Sequence, residues 1–288
     1  MARNFTDDDL FNDAWLAFNR EVPSDQAAAD FLYDSLVIHN KIECACKQPQ
    51  IIHKPGERFY SCRNCKKVSW VTSGTLFAGV VKLRAWLALI WLNERGISIS
   101  AARFSRVVSV AQSTALNIQK KLGMVIESKL DNSSPGLPSQ LLSAVVTKRS
   151  KETPAHEHPR AELEACSTPG AQFQTPEQWQ NYLTSEEEVR EAIANYSRSR
   201  AANSAFSLTI SSVVAVIQTA IAYIRTYFQG VSRKYLQLYL TLFWCHSDRL
   251  RWTPGTILLA CLEHPPISYE AIIAYVSPSA VKIFPALG

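Results

Sequence analysis

The chain has 288 residues, 47% of them apolar, and these values favour a folded protein of two or three modest domains over a disordered one. Its acidic start does not resemble a secretory signal, in which basic residues precede an apolar run. Seven cysteines are present, and four of them lie between positions 44 and 65. An odd, clustered set indicates a metal site in a reducing cytoplasm rather than a disulfide framework.

Two amphipathic helices are predicted in residues 1–40. The first covers residues 6–20, with Thr6 as its cap and acidic residues in its first turn. The second covers residues 24–39 and is capped by Ser24. Their apolar faces predict ordinary packing helices.

The positive charge is concentrated in the segment that follows. The formal net charge of the chain is +5, yet residues 41–121 carry 14 basic and 3 acidic side chains. Residues 1–40 carry 2 basic and 8 acidic side chains, and residues 122–288 carry 14 of each. A solvated basic face is one interpretation. The strength of the bias favours the other, a polyanionic partner such as nucleic acid.

Residues 41–80 are predicted to form a small β zinc ribbon. The candidate ligands are two pairs separated by fifteen residues: Cys44 and Cys46, then Cys62 and Cys65. Zinc prefers four soft ligands in a tetrahedron, and two close pairs on two turns supply them. The polar surroundings disfavour the alternative, four buried structural thiols. Four protein ligands leave no position for water, so the predicted zinc is structural rather than catalytic.

Other metal ligands are conceivable from the spacing. The first cysteine pair is one residue short of the usual knuckle, and His39 or His53 is an alternative ligand there. A second set has partly ligand-like spacing: Cys245, His246, Cys261 and His264. This set lies in aromatic and leucine-rich segments, so packing is the favoured interpretation.

Residues 81–130 are predicted to form a helix-turn-helix. An apolar support helix over 82–94 is ended by Gly96. A short helix over 98–107 and a longer one over 110–127 follow, the latter with a predicted capping box from Ser109 to Gln112. A plain three-helix packing unit is the alternative.

The longer helix is predicted to be the DNA-reading helix. Amide and hydroxyl side chains near a helix start can hydrogen-bond base edges in a major groove, and basic side chains contact phosphates. The opposite face is predicted to bury Ala111, Ala115, Ile118 and Leu122. The predicted contacts with double-stranded DNA are Arg63, Lys66, Lys67, Arg103, Arg106, Gln112, Ser113, Thr114, Asn117, Lys120 and Lys121.

The remaining chain divides into a predicted linker over 131–178, rich in proline, serine and charge, and a helical C-terminal domain over 179–288. No charge occurs between Arg200 and Arg225, a length that can span a bilayer. Interrupting polar residues favour a buried core helix instead. The sequence therefore predicts no membrane partner and a cytoplasmic, nucleoid-associated protein.

One segment resembles a known family. From Phe59 to Leu87 the sequence resembles the zinc-ribbon region of bacterial insertion-sequence transposases of the DDE superfamily. The resemblance lies in V-T-S-G-T at 71–75 and in the helix starting L-R-A-W at 83–86. The run at 230–244 is similar to the last helix of that family. The similarity covers roughly residues 24–125 and 225–250.

The resemblance implies a ribonuclease-H-like domain with two aspartates and a third acidic or amide residue that hold metal ions for strand transfer. Asp131 is the only aspartate between Asp34 and Asp248, and it lies in a turn-like sequence. The expected third position falls in Ser-Ser-Val-Val at 211–214. Two-metal phosphoryl transfer needs carboxylates at the metals. We therefore expect a helical remnant of that domain without catalytic activity.

The sequence thus predicts a mainly α protein with a small β zinc ribbon and a helix-turn-helix. The expected function is double-stranded DNA binding by a protein of transposase ancestry that acts as a transcriptional regulator or is a relic. One alternative is an active transposase with a rebuilt or partner-supplied active site. Another is a zinc-ribbon adaptor for proteins, which the concentrated basic charge disfavours. Homo-oligomerisation is left open.

Overall fold

The computed structural model describes residues 8–42, 44, 46, 50–129, 136–138, 219–220, 223–224, 226–228, 231–247, 252–278 and 280–282. Across these residues the chain is mostly helical, with one small three-stranded antiparallel sheet. The predicted mainly α class with a small β element is confirmed at that level. The chain divides into two compact units, one of residues Met1–Lys129 and Cys245–Ala274, the other of Leu130–Trp244 and Tyr275–Gly288.

The helices are numbered in chain order: α1 Asp8–Glu21, α2 Asp25–Ile38, α3 Leu83–Glu94, α4 Ala101–Val107, α5 Gln112–Ser128, α6 Leu236–Ser247, α7 Thr256–Glu263 and α8 Tyr269–Ala274. The strands are β1 Ile51–His53, β2 Phe59–Cys62, β3 Val68–Trp70, β4 Gly136–Pro138 and β5 Ala280–Lys282. Strands β1, β2 and β3 form the antiparallel sheet with β2 in the middle, and β4 pairs with β5. In the second unit a 3-10 turn, Arg233–Tyr235, precedes α6, and Ser277 Oγ accepts from the backbone N–H of Gln237 at 2.9 Å.

Helices α1, α2 and α3 meet around the side chain of Arg84. The Ser24 hydroxyl caps α2 by accepting from the backbone N–H of Ala27 at 3.1 Å, as predicted. The backbone N–H of Arg84 donates to Asp25 Oδ1 at 3.0 Å, and its guanidinium donates to the Val22 carbonyl at 2.8 Å. The guanidinium also lies 5.2 Å from the ring centroid of Phe18. Arg84, although part of the basic segment, therefore serves packing between helices.

The two helices of the predicted helix-turn-helix are present, but each begins at a later residue than predicted. Helix α4 begins at Ala101, because the Ser100 hydroxyl caps it by accepting from the backbone N–H of Arg103. Helix α5 begins at Gln112 with Ala111 in the cap position, and no side chain caps it. The predicted capping box from Ser109 is wrong. Ser109 lies two residues before the cap in a left-handed conformation, with φ of +53°, and forms the turn instead.

The buried face of α5 follows the predicted helical period. Ala115, Ile118 and Leu122 are buried, whereas Ala111 is exposed because it lies ahead of the first helical turn. Gln119 is buried too, and its amide donates to the Ile99 carbonyl at 2.8 Å. This hydrogen bond links α5 to the segment that leads into α4.

The predicted linker lies outside the described residues except for β4. Most of the uncharged stretch between residues 200 and 225 also lies outside them, as does the start of the predicted C-terminal domain, residues 179–200. Among the helices that are described, none combines the length and the apolar character needed to cross a membrane.

Candidate metal centre and nucleic-acid surface

The three-stranded sheet packs one of its faces against α2. Directly opposed residues of neighbouring strands share a face, so the register places His53 beside Tyr60. Tyr60 is 8% exposed, and the His53 ring stacks on Tyr33 of α2 with centroids 4.0 Å apart. This packing anchors the sheet and fixes the position of Cys62 at the end of β2.

The turn after β2 has the backbone of a metal-binding knuckle. The backbone N–H of Lys66 donates to the Cys62 carbonyl at 2.8 Å, and the N–H of Cys62 donates to the Lys67 carbonyl at 2.9 Å. Lys66 has a φ of +61°, a left-handed conformation that tightens the turn. The turn thereby brings Cys65 back toward Cys62.

The four predicted cysteines converge. Their sulfurs all lie within 4.8 Å of one another, and these four form the metal-ligand cluster found among the described residues. The Sγ–Sγ distances are 3.3 Å for Cys44–Cys46, 3.4 Å for Cys44–Cys65 and 3.5 Å for Cys46–Cys62. A tetrahedral zinc site, with Zn–S bonds of about 2.3 Å, places its sulfurs about 3.8 Å apart. The cluster can therefore hold a metal ion.

The two cysteines of this turn differ in pKa. At Cys65 the backbone N–H of Lys67 lowers the pKa, but hydrogen bonds to Cys44 and Cys62 outweigh it and raise the pKa overall. At Cys62 the surroundings favour the thiolate form that metals bind. The backbone N–H groups of Cys65 and Gln50 lower the pKa of the Cys62 thiol to about 6. Donation from amide groups stabilises a thiolate, and the thiolate is the form that binds a metal ion. A ligand that is deprotonated near neutral pH binds a cation without first having to lose a proton.

The histidine alternatives for this centre have other roles. His53 Nε2 lies 2.9 Å from the Glu57 carbonyl, and its ring belongs to the stack on Tyr33. His39 ends α2 as its C-cap. In the later set, Cys245 and Cys261 are fully buried, and burial raises the pKa of the Cys261 thiol well above its ordinary value. Buried apolar thiols of this kind agree with the packing interpretation.

The predicted DNA-contacting residues are accessible to different degrees. The side chains on the ribbon turn, on α4 and on the first turn of α5 are exposed: Arg63, Lys66, Lys67, Arg103, Arg106, Gln112, Ser113 and Thr114. Asn117, Lys120 and Lys121 are half-buried. At 100° per residue, Ser113 lies opposite the buried core residues of α5, whereas Gln112 and Thr114 flank them.

Some of these basic groups also make contacts within the protein. The Arg103 guanidinium lies 4.5 Å from the ring centroid of Phe11, and Arg106 Nε donates to the Ala102 carbonyl at 3.2 Å. Burial lowers the pKa of Lys121, and the nearby Glu270 carboxylate opposes that shift. Both arginines remain exposed despite these contacts.

Other basic residues, within and just beyond the basic segment, bind groups of the protein itself. Arg58 donates to the carbonyls of Val80 at 2.9 Å and Val81 at 2.6 Å. Lys41 Nζ lies 3.2 Å from Glu263 Oε1, and Lys129 Nζ lies 2.9 Å from the other carboxylate oxygen. The sequence did not reveal these roles, because each partner lies on a distant element. The charge available to a polyanion is consequently smaller than the count for residues 41–121.

Comparison of the chain with protein-family models, with curated proteins and with solved structures gives no match.

Proposed function

We propose that this chain is a DNA-binding protein of transposase ancestry that lacks strand-transfer activity and acts as a regulator or is a relic. The observation that carries the proposal is the start of α5. Gln112, Ser113 and Thr114 are exposed there, while Ala115 and Ile118 face the core. Hydroxyl and amide groups at the start of an exposed helix suit hydrogen bonding to base edges in a major groove.

The connection between α4 and α5 supports a helix-turn-helix. Four residues, 108–111, separate the helices, and the positive φ of Ser109 turns the chain sharply. The backbone N–H of Val110 donates to the Ser105 carbonyl at 3.0 Å and ties the turn to α4. A short helix and a tight turn that lead into a longer, polar-faced helix suit the arrangement in which the second helix enters the groove.

The cysteine cluster supports a structural zinc ion. Four thiolates are a soft donor set that suits zinc, and Cys44, Cys46, Cys62 and Cys65 would be its ligands. The sheet is small, with strands of three or four residues, and it buries few of its own side chains. Folding of a segment this small depends on the free energy of metal binding. The ion would thus hold the ribbon turn, with its three basic residues, in place.

The sequence supports the loss of strand transfer. Asp131 stands alone between Asp34 and Asp248, so the pair of aspartates that two-metal chemistry needs is missing. The cysteine centre does not replace it, because four protein ligands leave no open coordination position. Regulation by binding alone therefore fits the residues better than catalysis does.

Fluorescence anisotropy with labelled duplex DNA of random sequence tests the proposal against the adaptor alternative. We expect binding that weakens as salt rises, because basic residues that neutralise phosphates release counterions. A chain with bound zinc that shows no affinity for duplex DNA at low salt would favour the adaptor. The same titration with a quadruple alanine variant assigns the binding surface. The variant replaces Arg103, Arg106, Lys120 and Lys121.

A further inference from the structure

The sheet has a second face, and this face is exposed and apolar. The register places Ile52 opposite Ser61, Ser61 opposite Val68, and Phe59 opposite Trp70. All five residues lie on the face of the sheet that does not carry Tyr60. Trp70 is 58% exposed and Val68 is 56% exposed. We name this surface the ribbon face and define it by five residues: Ile52, Phe59, Ser61, Val68 and Trp70.

The indole of Trp70 is held in place without being covered. The rings of Phe59 and Trp70 make an edge-to-face contact, with centroids 6.2 Å apart and planes at 73°. Such contacts are favourable beyond the area they bury. An aromatic side chain that is already held loses little further entropy when a planar ligand stacks on it. Trp70 is therefore suited to stacking.

Positive charge lies at one end of the ribbon face, and the Phe59–Trp70 pair lies toward the other end. Arg63, Lys66 and Lys67 occupy the turn that joins β2 to β3, and all three are exposed. Arg63 comes two residues after Ser61 of the ribbon face. Within the part of the chain that the structure describes, the ion pairs involve other residues, so no carboxylate neutralises this turn.

We propose that the ribbon face binds single-stranded DNA, with unpaired bases stacked on Trp70 and Phe59 and phosphates contacted by Arg63, Lys66 and Lys67. Proteins that bind single strands combine aromatic platforms with adjacent positive charge, because every base has a ring face and every nucleotide a phosphate. A duplex offers the charge, but its bases are already stacked on one another. The inference rests on the proposed DNA-binding function and adds a surface that is distinct from α5.

Charge disfavours a second copy of this chain as the occupant of the ribbon face. A two-fold contact brings the same patch of each copy together. Here it would bring two turns carrying Arg63, Lys66 and Lys67 against each other, and no ion pair among the described residues involves these three side chains. A polyanion complements the same turn.

Anisotropy titrations with the full chain and three labelled probes test the inference. The probes are oligothymidine, an abasic strand of equal length with the same number of phosphates, and a duplex. We expect the wild type to bind oligothymidine more tightly than the abasic strand. Trp70→Ala should weaken oligothymidine binding about 5-fold or more, and Trp70→Phe should restore most of the loss. The duplex affinity of Trp70→Ala should stay within about 2-fold of wild type, a margin well below the effect of one stacked base.

A matched control is available on α8. Tyr269 is 57% exposed, close to the exposure of Trp70, but lies outside the ribbon. Tyr269→Ala should leave oligothymidine binding unchanged. Because Trp70 is largely exposed, its loss should not unfold the ribbon, and the metal content of Trp70→Ala verifies that the cysteine centre is intact.

Three results would overturn the inference. The first is that Trp70→Ala and the wild type bind oligothymidine with equal affinity, and the second is that the wild type binds the thymidine and abasic strands with equal affinity. The third is that Trp70→Ala changes in sedimentation while its DNA binding is unchanged. The last result would assign the ribbon face to a contact between copies. A different result would contradict the proposed function, namely that the wild type does not bind the duplex.

Discussion

Glu94, at the end of α3, caps the start of α7 by accepting a hydrogen bond at Oε1 from the backbone N–H of Leu258, 2.9 Å away. Gly255 occupies the N-cap position of α7 and has no side chain that could do this. A helix start leaves backbone N–H groups without intrahelical partners, and a carboxylate satisfies them. The two residues are 164 positions apart, so this contact joins the two segments of the first unit, residues 1–129 and 245–274.

We expect Glu94→Ala to destabilise the protein. Glu94 is only 5% exposed, and its removal would leave a buried N–H group of α7 without its acceptor. The cost should be about 1–3 kcal/mol. Urea unfolding followed by circular dichroism measures it, with Glu94→Gln as the matched control, because the glutamine carbonyl can still accept from Leu258. Equal loss of stability in both variants would contradict the capping role.

The same residue predicts a pH dependence of stability. Burial raises the pKa of the Glu94 carboxyl above its ordinary value of 4.5, and hydrogen bonds from Gly255 and Leu258 oppose the shift only in part. The folded state therefore holds this proton more tightly than the unfolded state does. The stability contributed by Glu94 is full below about pH 4.5 and falls as pH rises through the raised pKa. Glu94→Gln, which does not titrate, should gain stability relative to wild type over that interval. A constant difference between the two proteins would contradict this.

Local features of this fold could be predicted from sequence where short-range patterns control them. Ser24 was recognised as a cap because its hydroxyl reaches an amide three residues away, and Ala115 and Ile118 follow the helical period. The close approach of the four cysteine sulfurs followed from their pairing along the chain. The prediction for Ser109 is wrong because a serine before a helical run is common both as a helix cap and as a turn residue. Only the backbone conformation distinguishes these two roles.

Long-range contacts could not be predicted. Nothing near Glu94 in the sequence indicates that its partner is Leu258, and nothing near Arg84 indicates that its guanidinium binds the end of α1. The charge count for residues 41–121 therefore includes Arg58 and Arg84, although both bind backbone carbonyls. The ribbon face was missed for a related reason. The alternation in Val68 and Trp70 identifies two faces of a strand but does not say which face packs against α2.

One zinc ion per chain is expected, and Cys62→Ser should release it. The substitution removes a ligand from the knuckle, and residues 41–75 should unfold because the ribbon depends on the metal. Metal analysis of freshly purified, reduced protein and limited proteolysis within this segment measure both effects. Cys166→Ser, at a cysteine that is not one of the four predicted ligands, is the matched control and should retain the ion. A wild-type protein without zinc would refute the prediction.

No strand-transfer or nuclease activity is expected with magnesium or manganese. The paired aspartates are missing, and Val214 stands where a metal-binding carboxylate is expected from the family resemblance. Gel assays with labelled duplexes taken from the DNA on either side of the gene provide the measurement. Cleavage by the purified chain that Asp131→Ala abolishes would show a rebuilt active site.

Two kinds of side chain on α4 and α5 should respond differently to substitution. Thr114→Ala or Asn117→Ala should cost roughly 1–3 kcal/mol on a preferred site and little on random DNA, because base contacts specify sequence. Arg106→Ala should weaken binding to all duplexes alike, because its guanidinium is expected to contact a phosphate. Titrations on a selected site and on a scrambled duplex separate the two effects. Equal losses of Thr114→Ala on both duplexes would remove this residue from the base-reading surface.

The central claim is that α4 and α5 present the duplex-binding surface, and the salt dependence of duplex affinity tests it most directly. If about 5 to 7 basic side chains neutralise phosphates, log affinity should fall against log salt with a slope near −5 to −6. Arg106→Ala or Lys121→Ala should each reduce the magnitude of the slope by about 1. The quadruple alanine variant of Arg103, Arg106, Lys120 and Lys121 should lose most of the affinity. An affinity independent of salt, or wild-type binding by the quadruple variant, would contradict the account.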